Sequence, residues 1–281
     1  MKKKLLISLI CFPLALHLFQ LFFLHFDGAL HPRSFEHGFQ KSYTTEVQGL
    51  DPSLLDPILS QSFHYLGNGK QMIALESADE KYVLKLFNPM RPLKKGWPRQ
   101  IKYWKRYSSA KWISREWSQK KNRLKKLFTR HKLAFETLRS ETGLLYVHLA
   151  PHSRINHFVR ATDQKGKMQM LSLANTPFVL QEKATLVPQY LRKLIQENRL
   201  EEAKTAVLRL QNLFEKRIAV GITDRIQTME NNYGFVDGKP IQIDVGRIRF
   251  DPLLNRQAAQ EMNRILTPLQ DWLHNNFPEM L

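Results

Sequence analysis

Asp224, the pair Asn231 and Asn232, and Asp244 are spread through one stretch, GITDRIQTMENNYGFVDGKPIQIDVGR, from Gly221 to Arg247. It carries an aspartate before a loop, amides after it, and a second aspartate at the end of an apolar hairpin arm. A site for a metal ion and phosphate needs such groups, and a plain β-hairpin does not. Carboxylate and amide oxygens suit a hard divalent ion that keeps most of its waters.

The elements that would position these residues can be read from periodicity. Asp237-Gly238 marks a tight turn between strands Tyr233 to Val236 and Pro240 to Ile243. Helical spacing predicts helices near 189–198 and 201–216, the second burying Ala203, Val207, Leu210 and Phe214. A last helix, from about 256 to 275, is expected to bend or break at Pro268. Upstream, residues 62–88 alternate apolar and polar around turns at Gly67 to Gly69 and Ala78 to Glu80, which predicts a three-strand antiparallel meander with YVLKLF as its last strand. Leu124, Leu127, Phe128, His131, Phe135 and Leu138 share one face of a helix over 119–141, stopped by Gly143. Two more strands follow at about 156–162 and at PFVLQEK, residues 177–183. A short helix is expected near DPSLLDPIL.

This order of motifs, from about residue 60 to 250, resembles the protein-kinase-like fold. The resemblance implies an α+β, two-lobe architecture: a small antiparallel β N-lobe over 58–183 with a basic insertion at 91–118, and a reduced helical C-lobe over 184–281. LGNGKQMIALES looks like the glycine-rich loop, in which Gly67 and Gly69 would let backbone amides approach phosphates of ATP. Lys85 resembles the strand-three lysine that contacts the phosphates and pairs with a helix glutamate, here Glu141, with Glu136 as the alternative. Read alone, Lys85 is equally an exposed strand lysine. Gln181 to Lys183 would offer backbone groups to an adenine edge. Asp224 resembles the base that meets the acceptor hydroxyl, Asn232 (or Asn231) the metal-binding asparagine, and Asp244 of Asp244-Val245-Gly246 the aspartate that holds Mg.

The chain also departs from the family. Ile222 and Thr223 stand where it has His and Arg, Val245 replaces its Phe, and the eight positions from Asp224 to Asn232 exceed its spacing. About thirty residues follow Arg247, too few for a platform that docks a peptide substrate. The resemblance therefore implies one of two functions. One is an ATP/Mg-dependent phosphotransferase acting on a small or lipid-associated acceptor; the other is a catalytically inactive, pseudokinase-like binding module.

Charge and hydropathy add a membrane. The chain has 281 residues and a formal charge of +18, and sixteen Lys or Arg against the single acid Glu116 fall between Arg91 and Lys132. Four of the five tryptophans, Trp97, Trp104, Trp112 and Trp117, are interleaved with these cations, a composition suited to anionic membrane lipid through 91–133. Nucleic acid is the rival partner, and a solvated charged face is the bland reading. LLISLICFPLALHLFQLFFLHF, Leu5 to Phe26, follows three lysines and reads as a single-pass signal anchor over 1–26, joined to the globular part by a linker over 27–57. A cleaved signal peptide is the alternative. The lysine flank favours an extracytoplasmic globular part. Cys11 is the only cysteine, so no intramolecular disulfide can form and no disulfide-linked partner is evident.

Overall fold

The computed structural model describes Phe35 and residues 52–69, 71–87, 110–151, 155–224 and 228–280, with backbone alone for residues 52 and 110–122. The expected anchor Leu5 to Phe26, most of the linker, and residues 91–109 with Trp97 and Trp104 lie outside the described residues. Among the described residues, no helix is long and apolar enough to cross a membrane.

The molecule is a mixed α+β fold built on a large, antiparallel-rich sheet. Helix α1 (Pro52–Leu59) leads into the meander β1 (Ser62–Asn68), β2 (Met72–Ser77) and β3 (Tyr82–Phe87). Helix α2 (Ala110–Thr137) and the single turn α3 (Arg139–Thr142) precede β4 (Leu144–His148), β5 (Phe158–Thr162), β6 (Met168–Ser172) and β7 (Phe178–Glu182). The seven strands pair in the order β4-β7-β3-β2-β1-β5-β6, and only β1 and β5 run parallel.

Strand periodicity assigns the two faces. The register Ala74↔Lys85 and Lys85↔Val179 puts these three residues on one face. Ile73, Leu75, Leu84, Leu86, Phe178 and Leu180 point the other way and pack on Leu55, Ile58 and Leu59 of α1. On the Lys85 face, Phe87, Val147 and Val179 are covered by Leu127, Phe128, Ala134 and Phe135 of α2, with Phe87 and Phe128 in an edge-to-face contact at 4.8 Å. Helix α2 starts at Ala110 rather than Gln119, so the second half of the basic stretch belongs to the same helix that covers the sheet. Gly143, at φ 60°, ends the helical segment as its position in the sequence suggests.

The rest of the chain is mainly helical. Strand β8 (Thr185–Leu186), α4 (Val187–Gln196), α5 (Leu200–Ala219), β9 (Ile222–Asp224), the one-turn α6 (Met229–Asn232), the hairpin β10 (Tyr233–Val236) and β11 (Lys239–Gln242), β12 (Ile248–Phe250) and α7 (Ala258–Asn276) follow in order. Both turn residues of the hairpin have positive φ, Asp237 at 48° and Gly238 at 76°, as a tight two-residue connection requires. Leu191, Leu210, Phe214, Tyr233, Ile265 and Leu269 centre this second core. Helix α7 runs unbroken through Pro268, so of the expected bend or break the break does not occur. Pro268 is exposed, and burial of Ile265, Leu269 and Leu273 on either side outweighs the lost backbone bond.

Gly234 is where β10 meets β8. A Cβ there would lie 2.6 Å from the carbonyl oxygen of Thr185 and 2.8 Å from the Cβ of Ala184. Gly234→Ala must therefore prise the two strands apart, and urea denaturation is expected to register a loss of about 2 kcal/mol.

Candidate functional site

The end of β3 and the chain leaving β11 meet. Lys85, half-buried at the sheet face, donates from Nζ to the carbonyl of Ile243 at 2.7 Å, across 158 residues of sequence. Burial pushes its pKa down to about 8, and the neighbouring Asp244 carboxylate partly opposes the shift. Asp244 is exposed, and its Oδ1 accepts the backbone N–H of Gly246 at 2.7 Å, which shapes the turn. The opposite wall comes from helix α2, whose Arg130 donates from Nη1 to the carbonyl of Gly246 at 2.6 Å.

The turn between β1 and β2 forms the roof. Gly69 donates to the carbonyl of Met72 at 2.9 Å. A Cβ on Gly67 would meet nothing within 4 Å, and one on Gly69 only Met72 O at 3.8 Å, so the strand surface there is open. Gln71 reaches down to Gly246, where an added Cβ would be 2.5 Å from Gln71 Oε1. Gly246 is small because the amide and the Asp244 carboxylate crowd it. Asn232 contributes through its backbone: its carbonyl accepts from Ile243 N at 2.7 Å and Asp244 N at 3.5 Å, which ties the one-turn helix α6 to the aspartate.

Three of the sequence-derived assignments are placed differently. Glu141 is not on α2, because that helix ends at Thr137 and the helical phase is lost before Glu141 is reached. Its carboxylate lies 3.7 Å from Lys216 Nζ, while Lys85 is bonded to Ile243 instead. Glu136, the alternative, is exposed and pairs with Lys132 at 3.5 Å.

Asp224 is only 1% exposed. Its Oδ2 accepts from Gln242 Nε2 at 2.7 Å, and the same nitrogen reaches the carbonyl of Asp244 at 3.1 Å. Gln242 Oε1 in turn accepts from the buried Arg217, which also donates to Tyr233 OH at 2.8 Å. Asp224 thus joins the hairpin from below, inside a buried chain of hydrogen bonds.

Gln181 is buried and donates from its side chain to the Thr142 carbonyl at 2.6 Å. The next two backbone donors, Glu182 N and Lys183 N, are taken by the carbonyls of Gly143 and Lys81. The edge that a purine base would read is therefore short of donors.

Sequence reasoning missed Arg130, His131 and Gln71 as parts of this site. His131 was placed among the apolar residues of α2, and it does lie buried on that face, its ring 5.1 Å from Phe87 and its Nδ1 2.9 Å from the Leu127 carbonyl. Burial pushes its pKa down to about 4; the backbone bond to Leu127 and Asp244 act the other way, while Lys85 and Arg130 add to the lowering. Its carrier helix and its distance in sequence from Lys85 hid this proximity. The folded imidazole releases its proton more readily than the unfolded one, so stability falls as pH drops from about 6.5 to about 4. Replacing it in His131→Leu is expected to flatten that limb by on the order of 3 kcal/mol, read as the difference between wild-type and variant urea midpoints at pH 7 and pH 4.

A concavity of about 320 Å³ opens elsewhere, lined by Thr223, Arg249, Gln257, Glu261 and Arg264. Two of its charges are matched to each other, because Arg264 is held by both Glu261 oxygens at 2.6 and 2.7 Å and by the Asp224 carbonyl at 2.7 Å. Among the described residues, no three His, Cys, Asp or Glu side chains converge. A magnesium ion beside Asp244 would take its other ligands from the Asn232 region, water and the phosphates it carries. No protein-family model matches this chain, and no curated protein matches it in sequence.

Proposed function

We propose that this chain is a membrane-anchored, kinase-like protein that binds a magnesium–nucleotide complex mainly through its phosphates and does not itself transfer them. The carrying observation is the meeting of Lys85 with Ile243 and Asp244, one cation and one carboxylate delivered by distant segments to the open side of a glycine turn. A phosphate chain bridged by magnesium satisfies both: its oxygens meet the ammonium and the metal meets the carboxylate. Burial of Asp224 argues for binding over transfer, since an acceptor hydroxyl has no carboxylate to receive its proton there. Occupied backbone donors at Glu182 and Lys183 argue for weak discrimination of the base. Membrane attachment follows from the apolar run Leu5 to Phe26 behind three lysines.

The test is a thermal-shift titration of the full chain in detergent. With magnesium present, ATP, GTP and inorganic tripolyphosphate should raise Tm by similar amounts, and without magnesium the shift should shrink. A response to ATP alone, or none to any of the three, would overturn the reading.

A further inference from the structure

The Lys85 face of the sheet is covered by α2 on one side only. Beyond β1 the same face continues onto β5 and β6 with nothing described upon it. Phe158, Met168 and Met170 are 63%, 64% and 52% exposed there. The register Phe158↔Ser172, Arg160↔Met170 and Thr162↔Met168 sets these side chains on one surface, with Arg160 between the apolar ones. Behind them Val159, Ala161 and Leu171 are buried in the core, so the hairpin is anchored and its outer face is not a slipped register.

The tip has a defined charge. Asp163 is 4% exposed and turned inward, its Oδ1 accepting from Lys165 N and Lys167 N at 2.9 Å each. Lys165 and Lys167 are left exposed, as is Arg160. The exposed acids Asp79 and Glu80 follow β2 at the opposite end of β1, where Ser77 and Gln61 bond to Asp79 and Lys183 to Glu80. The hairpin thus presents three large apolar side chains rimmed by three cations. Its foot also lies against α1, because Asp56 of α1 is 2.9 Å from His157 Nε2, one residue before β5. Only residues 27–51 separate α1 from the apolar run.

We infer that the β5–β6 hairpin is a second membrane contact: Phe158, Met168 and Met170 enter the interface of an anionic bilayer while Arg160, Lys165 and Lys167 meet lipid phosphates. This rests on the membrane reading above, and the experiment separates the two. The full chain carrying Cys11→Ser and Met170→Cys, labelled with an environment-sensitive dye, is reconstituted with vesicles of phosphatidylcholine alone or with phosphatidylglycerol added. Flotation with neutral vesicles reports the anchor. The dye reports the hairpin, with an expected blue shift and a several-fold intensity gain in anionic vesicles and quenching by spin-labelled lipid. The gain should fall at least threefold in the Arg160→Glu, Lys165→Glu, Lys167→Glu variant, and a dye at Asp237→Cys should not respond. Three results overturn the inference: a dye that stays water-like on anionic vesicles while the protein floats, a blue shift without lipid that follows dimer formation, or a shift given by RNA or heparin and not by vesicles. Failure to float on neutral vesicles with the dye response intact removes the anchor and supports the hairpin contact.

Discussion

Asp224→Ala is expected to cost about 3 to 5 kcal/mol of folding stability, in urea denaturation of the purified chain. The carboxylate is the acidic end of a buried chain of bonds that runs from Asp224 through Gln242 to Arg217 and Tyr233. Arg217 is fully buried, and among the described residues its Nε and Nη2 have no hydrogen-bond partner. The guanidinium is therefore sustained by few groups, and removing a nearby negative charge leaves it less compensated. Burial pushes the pKa of Tyr233 up to about 12, so its hydroxyl stays neutral and cannot substitute for the lost charge. Asp224→Asn should cost less, because an amide still accepts from Gln242. In a double-mutant cycle, Arg217→Met should recover part of the loss, since a buried apolar side chain no longer needs the carboxylate. A solvent-facing general base would behave differently: its removal changes stability by about 0.5 kcal/mol or less. The measurement thus separates a buried strut from a catalytic carboxylate without any knowledge of the acceptor.

The same residue marks the limit of what the sequence can convey. An acid after a short apolar run looks identical whether it faces a cleft or the interior. Here the choice is made by Gln242, which bonds to Asp224 and is itself held by Arg217 only when the hairpin folds over α5. Short strands were hidden for a related reason. β8, β9 and β12 have two or three residues each, and pairing with β10 or with each other defines them rather than any pattern of their own. β6 carries Met168 and Met170 on an exposed face, so it lacks the polar-out alternation that would have revealed it.

Where one face is buried, the pattern was legible. The meander, the strand at 178–182, the hairpin turn at Asp237-Gly238 and the stripe of α5 all follow from periods of two or 3.6 residues. The start of α2 was not, because its first residues, AKWISREWS, mix Lys111, Arg115 and Glu116 with Trp112, Ile113 and Trp117 and form no clean apolar stripe. That error mattered for function: it divided the basic segment from the helix whose Arg130 and His131 reach the site.

The second large effect separates function from stability at Lys85. Folding carries this ammonium into surroundings that disfavour its charge, with Asp244 as the opposing influence. Lys85→Met keeps the length of the side chain and removes the charge. Below pH of about 8 the variant should be more stable than wild type by about 1 to 3 kcal/mol, the range reflecting partial exposure and the lost bond to Ile243. The advantage should fade as pH rises from about 8 toward 10.5. In that window the folded wild type has shed the proton that the unfolded chain still holds, so wild-type stability increases. The same variant should lose the tripolyphosphate-induced thermal shift, an affinity loss of at least tenfold, because the phosphates lose their cation. Asp244→Asn should weaken the magnesium-dependent part of that shift and lower the Lys85 pKa further. A lysine that only supported the fold would give the opposite pattern, with Lys85→Met destabilised and its response to tripolyphosphate unchanged. A more stable variant that no longer responds to the ligand is what a binding lysine, held in place at some cost to the fold, should produce.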